Sequence, residues 1–127
     1  MAVNPVAKSI ILCDYHVGYQ DSKVDLYGIF NAMRPANGYP YREAKFCLFS
    51  QLINGMDRVP FFVDIRRADT DGLIFTTETR ELLFPNRFAM IQLALTIEGC
   101  VFPDRGLYKI ELFCDNCWVC DTELQMR

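Results

Sequence analysis

The densest group of chemically capable side chains is Cys114-Asp115-Asn116-Cys117-Trp118-Val119-Cys120. A Cys-x-x-Cys pair on a turn presents two thiolates to one zinc ion, which takes four soft or borderline donors in a tetrahedron. Cys114, Cys117 and Cys120 are therefore the candidate metal ligands, and zinc is the ion such a site would hold. There is no second Cys-x-x-Cys, so Cys13, His16 or Cys100 would have to complete the set from elsewhere in the fold. The competing reading is packing, with Cys114 and Cys120 turned into the core and Cys117 near the turn. A single pair is a weak signal, so packing is favoured and no cofactor is expected. A thioredoxin-like role needs the motif at the start of a helix, which lowers the thiolate pKa, whereas these residues fall between two strands.

His16 is the only histidine, so any Ser-His-Asp or Cys-His arrangement must use it. No Gly-x-Ser-x-Gly elbow accompanies it, and a strand-end histidine is the plainer reading. Asp69-Thr70-Asp71-Gly72 opens like a calcium loop but runs on into Leu73-Ile74-Phe75, so it reads as a turn. The spacing of Asp14, Asp25, Glu43 and Asp64 brings no two carboxylates together for acid-base work. Glycine-rich phosphate loops are absent, which leaves nucleotide binding unsupported. The chain is expected not to be an enzyme, the alternative being a hydrolase built around His16.

A formal net charge of -3 and nine arginines interleaved with acids give no basic stripe, so nucleic acid is not an expected ligand. Apolar runs such as Ile10 to Cys13 fall far short of the roughly 20 residues of a membrane-crossing helix, and Met1 to Lys8 lacks the apolar stretch of a secretory signal. The expected setting is the cytoplasm, with the six cysteines mostly free thiols. Hydrophobic residues make up 51% of 127, enough for one self-sufficient core, so residues 1–127 are read as one domain.

The elements that must position these residues follow from a period of two. Val59, Phe61, Val63 and Ile65 alternate with Pro60, Phe62, Asp64 and Arg66; Tyr108, Ile110, Leu112 and Cys114 alternate with Lys109, Glu111, Phe113 and Asp115. Trp118, Cys120, Leu124 and Met126 are placed on the core phase of a last strand, joined to the preceding one by a tight Asp115-Asn116 hairpin. Further strands are expected over Ser9–Val17, Val24–Met33, Lys45–Ile53, Leu73–Glu78 and Phe88–Ile97, with a small helical remainder around Arg80–Phe84. The sum is an all-β chain of seven to eight strands, which fits a two-sheet antiparallel β-sandwich. Pro60 and Arg66-Arg67 would guard one sheet edge.

Two stretches go beyond pattern. Cys13-Asp14 leads through Lys23 to Gly28-Ile29-Phe30, and Phe102-Pro103 leads through Gly106 and Tyr108 to the Asp115-Asn116 turn. Together they resemble a family of small uncharacterised bacterial proteins with a "cD…K.nl.GiF" opening and a "fP..G.Y.f.l..dg" ending. The resemblance implies an immunoglobulin-like sandwich in which Gly28, Phe30, Gly106, Tyr108 and Trp118 are structural, Gly106 turning the chain and Tyr108 anchoring its strand. It implies no catalytic residues.

Phe62 and Phe113 fall on the phase opposite the most apolar residues of their strands, and Tyr39 and Tyr41 follow a Pro/Gly-rich stretch. These four are the candidate binding residues, because exposed apolar patches and loops on a rigid scaffold both mark contact sites. The functional expectation is a non-enzymatic interaction domain, either self-assembling or an accessory subunit of a bacterial multi-protein system, with a protein partner rather than a nucleotide or membrane. The alternative is a metal- or small-ligand-binding domain centred on the Cys114–Cys120 hairpin.

Overall fold

The computed structural model describes residues 2–127. Among them are eleven strands and no helix: β1 (Val6–Cys13), β2 (Tyr15–Gly18), β3 (Val24–Tyr27), β4 (Ala32–Met33), β5 (Tyr41–Ile53), β6 (Asp57–Arg67), β7 (Leu73–Thr76), β8 (Arg80–Phe84), β9 (Ile91–Phe102), β10 (Gly106–Cys114) and β11 (Cys117–Met126). They form a three-stranded sheet β1-β5-β9, a six-stranded sheet in which β4-β11-β10-β6 continues to β7 and β8 on the far side of β6, and a separate hairpin β2-β3. All pairings are antiparallel except β4 with β11.

One buried cluster draws on both larger sheets. Ile10, Leu12, Phe46, Leu48, Leu93, Leu95 and Ile97 come from the three-stranded sheet, and Val59, Phe61, Val63, Ile65, Ile110, Leu112, Leu124 and Met126 from the six-stranded one. Alternate residues of each strand supply it, as a pleated strand requires. β1 runs beside β11 and β7 beside β9, so the two sheets approach each other at both margins. Tyr108 lies within this core, fully buried, and its hydroxyl donates to the Asp104 carbonyl at 2.7 Å. Gly106, at φ 142°, turns the chain into β10 two residues earlier, a conformation that an L side chain rarely adopts.

The strand count exceeds the seven or eight expected because two expected strands break. Ser9–Val17 divides at Asp14, and Val24–Met33 divides around Gly28 to Asn31, so each yields two elements. The expected helical remainder at Arg80–Phe84 is instead β8: Leu82 and Phe84 alternate into the core and the segment pairs residue by residue with Asp57 to Phe61. Phe88 stands outside any strand at 96% exposure, and β9 begins at Ile91. Pro60 and Arg66-Arg67 guard no edge, because β6 lies inside its sheet between β10 and the β7/β8 pair. The Asp115-Asn116 turn is as expected: both residues have positive φ, at 50° and 61°, the geometry of a two-residue hairpin loop matched to strand twist.

Two substitutions separate packing from hydrogen bonding in this core. Phe84→Ala should lower stability by about 3–5 kcal/mol through lost burial and the cavity left behind. Tyr108→Phe, which deletes only the hydroxyl, should cost about 0.5–1.5 kcal/mol. Urea unfolding midpoints at constant slope measure both.

Candidate functional site

Three places gather chemistry or exposed apolar surface, and the first is the outer face of the six-stranded sheet. Phe62 of β6 is directly opposite Phe113 of β10, and Phe113 is directly opposite Trp118 of β11. The two phenylalanine rings stack with centroids 5.0 Å apart and planes within 8° of parallel. Trp118 is 57% exposed at the end of the row. Its assignment to the core phase is corrected by a bulge. Leu112 faces Cys120 while Phe113 faces Trp118, so Val119 is an extra residue that turns Trp118 to the opposite face from Cys120.

The other end of the same face is charged. Asp64 and Glu111 face each other across β6 and β10, and Arg66 bridges them, 3.0 Å to the Asp64 carboxylate and 3.2 Å to that of Glu111. Lys109 meets Asp71 at 3.7 Å.

The same bulge distributes the hairpin cysteines. Cys114 is fully buried in the core, Cys120 is half-buried and Cys117 is exposed beside the turn. Burial pushes the Cys114 thiol up to about 11. Among the described residues no three His, Cys, Asp or Glu side chains are placed to share a metal ion. Cys100, considered as a distant fourth donor, is buried in the core beside Glu43, and burial pushes it up to about 12.

The second place was not legible in the sequence. β2 and β3 pair face to face over Tyr15–Gly18 and Val24–Tyr27. His16, Val24 and Leu26 are the half-buried residues of this hairpin, and Tyr15 and Tyr27 stack on its exposed side at 4.7 Å. The hairpin lies against β5 on the outer face of the three-stranded sheet, making a third layer. Beneath it Cys13, Cys47 and Phe49 are buried although they stand outside the main core cluster. Cys13 and Cys47 are direct cross-strand partners. The Cys13 thiol donates to the Tyr15 carbonyl at 3.5 Å, and His16 Nδ1 lies 3.4 Å from Cys47 Sγ. His16 and Cys13 thus meet each other's neighbourhood and not the Cys114–Cys120 hairpin, which lies in the other sheet.

The third place is a concavity of about 400 Å³ at the seam between the sheets, lined by Asp14, Gly28, Phe30, Arg34, Tyr41 and Glu43 among others. Gly28, at φ 68°, is needed here, because a Cβ would overlap the Asp14 carboxylate. Phe30 packs edge-on against Phe46, consistent with its structural reading. Asp14 and Glu43, which sequence spacing left apart, line this one depression. Tyr41 is the first residue of β5 and its hydroxyl donates to Glu43 at 3.0 Å. The Tyr39 hydroxyl donates to the Arg127 carbonyl at 2.7 Å. Both tyrosines pack partly against the core. Neither projects from a free loop.

The Asp14, Gly28 and Phe30 of the opening motif converge on this seam, and Gly106 and Tyr108 of the closing motif shape the start of β10. A family model described as "Family of unknown function (DUF6941)" matches residues 8–127. The chain belongs to the DUF6941 family. That match takes in all three places described above. No curated protein matches the chain. The expected resemblance to an uncharacterised family is therefore established, and the family carries no assigned activity.

The thiols of this DUF6941 chain make a graded prediction. Iodoacetamide at pH 8 should alkylate Cys117 first, Cys120 more slowly, and the core thiols Cys100 and Cys114 only on unfolding, as peptide mapping reads. Unfolded thiols titrate near about 8.5, below the folded values of about 12, 12 and 11 for Cys47, Cys100 and Cys114. Between those limits the native state keeps protons that the unfolded chain releases. Stability should be complete below about pH 8.5 and fall as pH rises beyond it, measured by urea midpoints across an alkaline series.

Proposed function

We propose that the chain is a non-enzymatic protein-contact domain on an immunoglobulin-like sandwich scaffold, working in the bacterial cytoplasm by pairing with a second copy or as an accessory subunit of a larger assembly. The observation that carries this is the row Phe62–Phe113–Trp118 across three adjacent strands, ending in a tryptophan 57% exposed. Aromatic side chains offer large contact area for little lost conformational freedom, and they are enriched at the buried centres of interfaces. Ladder pairing fixes these three rings in place before any partner arrives, which reduces the ordering cost of association. The charged half of the face supports the same reading. Arg66 and Lys109, half-buried and ion-paired to acids, form a charged border beside the apolar end, the pattern of an apolar centre and a polar rim. A cytoplasmic setting is supported by six cysteines that are all unpaired.

Trp118 is the sole tryptophan, so its emission reports on this surface alone. Binding of a partner or second copy should shift that emission to the blue. The test compares wild type with Phe62→Ser/Phe113→Ser by sedimentation equilibrium and by affinity capture from the native host. A dimer or captured protein whose binding weakens at least tenfold in the variant supports the proposal. A monomer that captures nothing overturns it, and so does a partner held equally well by the variant.

A further inference from the structure

The thiol group beneath the β2-β3 hairpin lies far from the aromatic row and has no part in protein contact. We propose that Cys13 and Cys47 form an oxidisable dithiol, which hydroperoxides convert to a reversible disulfide with His16 as the proton acceptor.

Strand geometry brings the two sulfurs into range. The Leu12 carbonyl accepts from Phe30 N–H at 2.9 Å, on the side away from β5. The backbone groups of Cys13, one residue on, therefore face β5, which makes Cys13 and Cys47 a hydrogen-bonded cross-strand pair. Such pairs have Cα atoms roughly 5.5 Å apart, inside the span of about 4.4–6.8 Å that a disulfide bridges. Their Cβ atoms are roughly 4.5–5.5 Å apart, at or beyond the wide end of the disulfide range of about 3.5–4.5 Å. A bond formed here is strained, and strained disulfides are the readily reduced ones. As direct partners the two side chains lie on the same face of the sheet, and both are buried there.

The surroundings assign the roles. Burial raises both thiols, Cys47 to about 12, and His16 Nδ1 stands 3.4 Å from Cys47 Sγ, so the proton that His16 can move is that of Cys47. Cys13 is thus the sulfur that attacks first. Its thiolate takes the distal oxygen of the hydroperoxide: the S–O bond forms, the O–O bond breaks and the alcohol leaves with the proton Cys13 gave up. Cys47 then attacks the Cys13 sulfenic sulfur. The S–S bond forms, the S–O bond breaks, and the Cys47 proton passes through His16 Nδ1, 3.4 Å away, to the departing hydroxide, which leaves as water. Two thiols and one hydroperoxide yield one disulfide, one alcohol and one water.

Access is controlled by the layer above. Cys13 and Cys47 are 0% and 2% exposed, so peroxide reaches them only when the hairpin lifts. The hairpin is two four-residue strands paired with each other alone, joined by the stacked Tyr15 and Tyr27 rings, and such short units open far more readily than the core strands.

The test uses hydrogen peroxide on the folded Cys117→Ser/Cys120→Ser protein, which removes the two accessible competitors. The expected product has lost two hydrogens in intact mass, maps to a Cys13–Cys47 bond and is reversed by millimolar glutathione. His16→Asn should slow closure about tenfold or more and let dimedone trap a sulfenic acid at Cys13. Tyr15→Ala, which removes the stacked ring but keeps the backbone carbonyl to which Cys13 donates, should speed oxidation severalfold. The proposal is overturned if both thiols stay reduced in the folded Tyr15→Ala protein while the urea-unfolded chain oxidises, if another cysteine pair forms instead, or if His16→Asn closes the bond at the wild-type rate.

Discussion

Every face of a β-sheet must be covered by apolar partners or be made polar, and the two large sheets of this protein meet that constraint differently. The three-stranded sheet is covered within by the six-stranded sheet and, over Cys13, Cys47 and Phe49, without by the β2-β3 hairpin, while Lys45, Thr96 and Glu98 on the same outer face stay exposed. Its middle strand β5 accordingly reads as a nearly continuous apolar run, Phe46-Cys47-Leu48-Phe49, buried on both phases. The six-stranded sheet is covered on one side only. Its strand β10 alternates cleanly, and on the open side Phe62, Phe113, Arg66 and Lys109 are half-buried, with Asp64 covered among them.

That difference sorts the chemistry. Thiols lie beneath the third layer, Cys13 and Cys47 being buried with the Phe49 ring under the short hairpin. On the open side Phe62 and Phe113 are half-buried and Trp118 is exposed at the hairpin end, while ion-paired Arg66 and Lys109 keep the remainder charged. A sheet that needed only to be solvated would carry polar residues along the whole of that face.

Much of the fold was legible because alternation is a local signal. Val59 to Ile65 and Tyr108 to Cys114 declare their buried phase within a few residues, and Asp115-Asn116 declares its turn from residue type alone. Trp118 was misplaced because a bulge changes phase without changing composition: nothing in Trp118-Val119-Cys120 says which residue is the extra one. Arg80–Phe84 is too short to distinguish strand from helix by period, and only its pairing with β6 settles it. The thiol cluster was invisible for a different reason. His16 and Cys47 are 31 residues apart, and their meeting depends on which face of β5 the first hairpin covers. No spacing rule encodes that. Asp14 and Glu43 meet at the seam by the same kind of long-range closure.

The Arg66 bridge has a bearing on how the chain avoids mispairing. Asp64 and Glu111 are opposed in the native register, an arrangement that costs free energy unless a cation serves both. One planar guanidinium does so through two different nitrogens, which a lysine ammonium on its flexible stem reproduces poorly. Sliding β6 against β10 by two residues would keep every apolar side chain on its proper face, so burial alone penalises that error weakly. Asp64 and Arg66 share β6 and would move together, so charge does not reject the slip; it would instead part Phe62 from Phe113 and set that ring opposite Asp115 or Glu111. With Arg66 cancelling the repulsion of the native register, the stacked rings at the hairpin end act as the vernier for strand alignment, rejecting the misalignment that the oily side of the sheet would let pass.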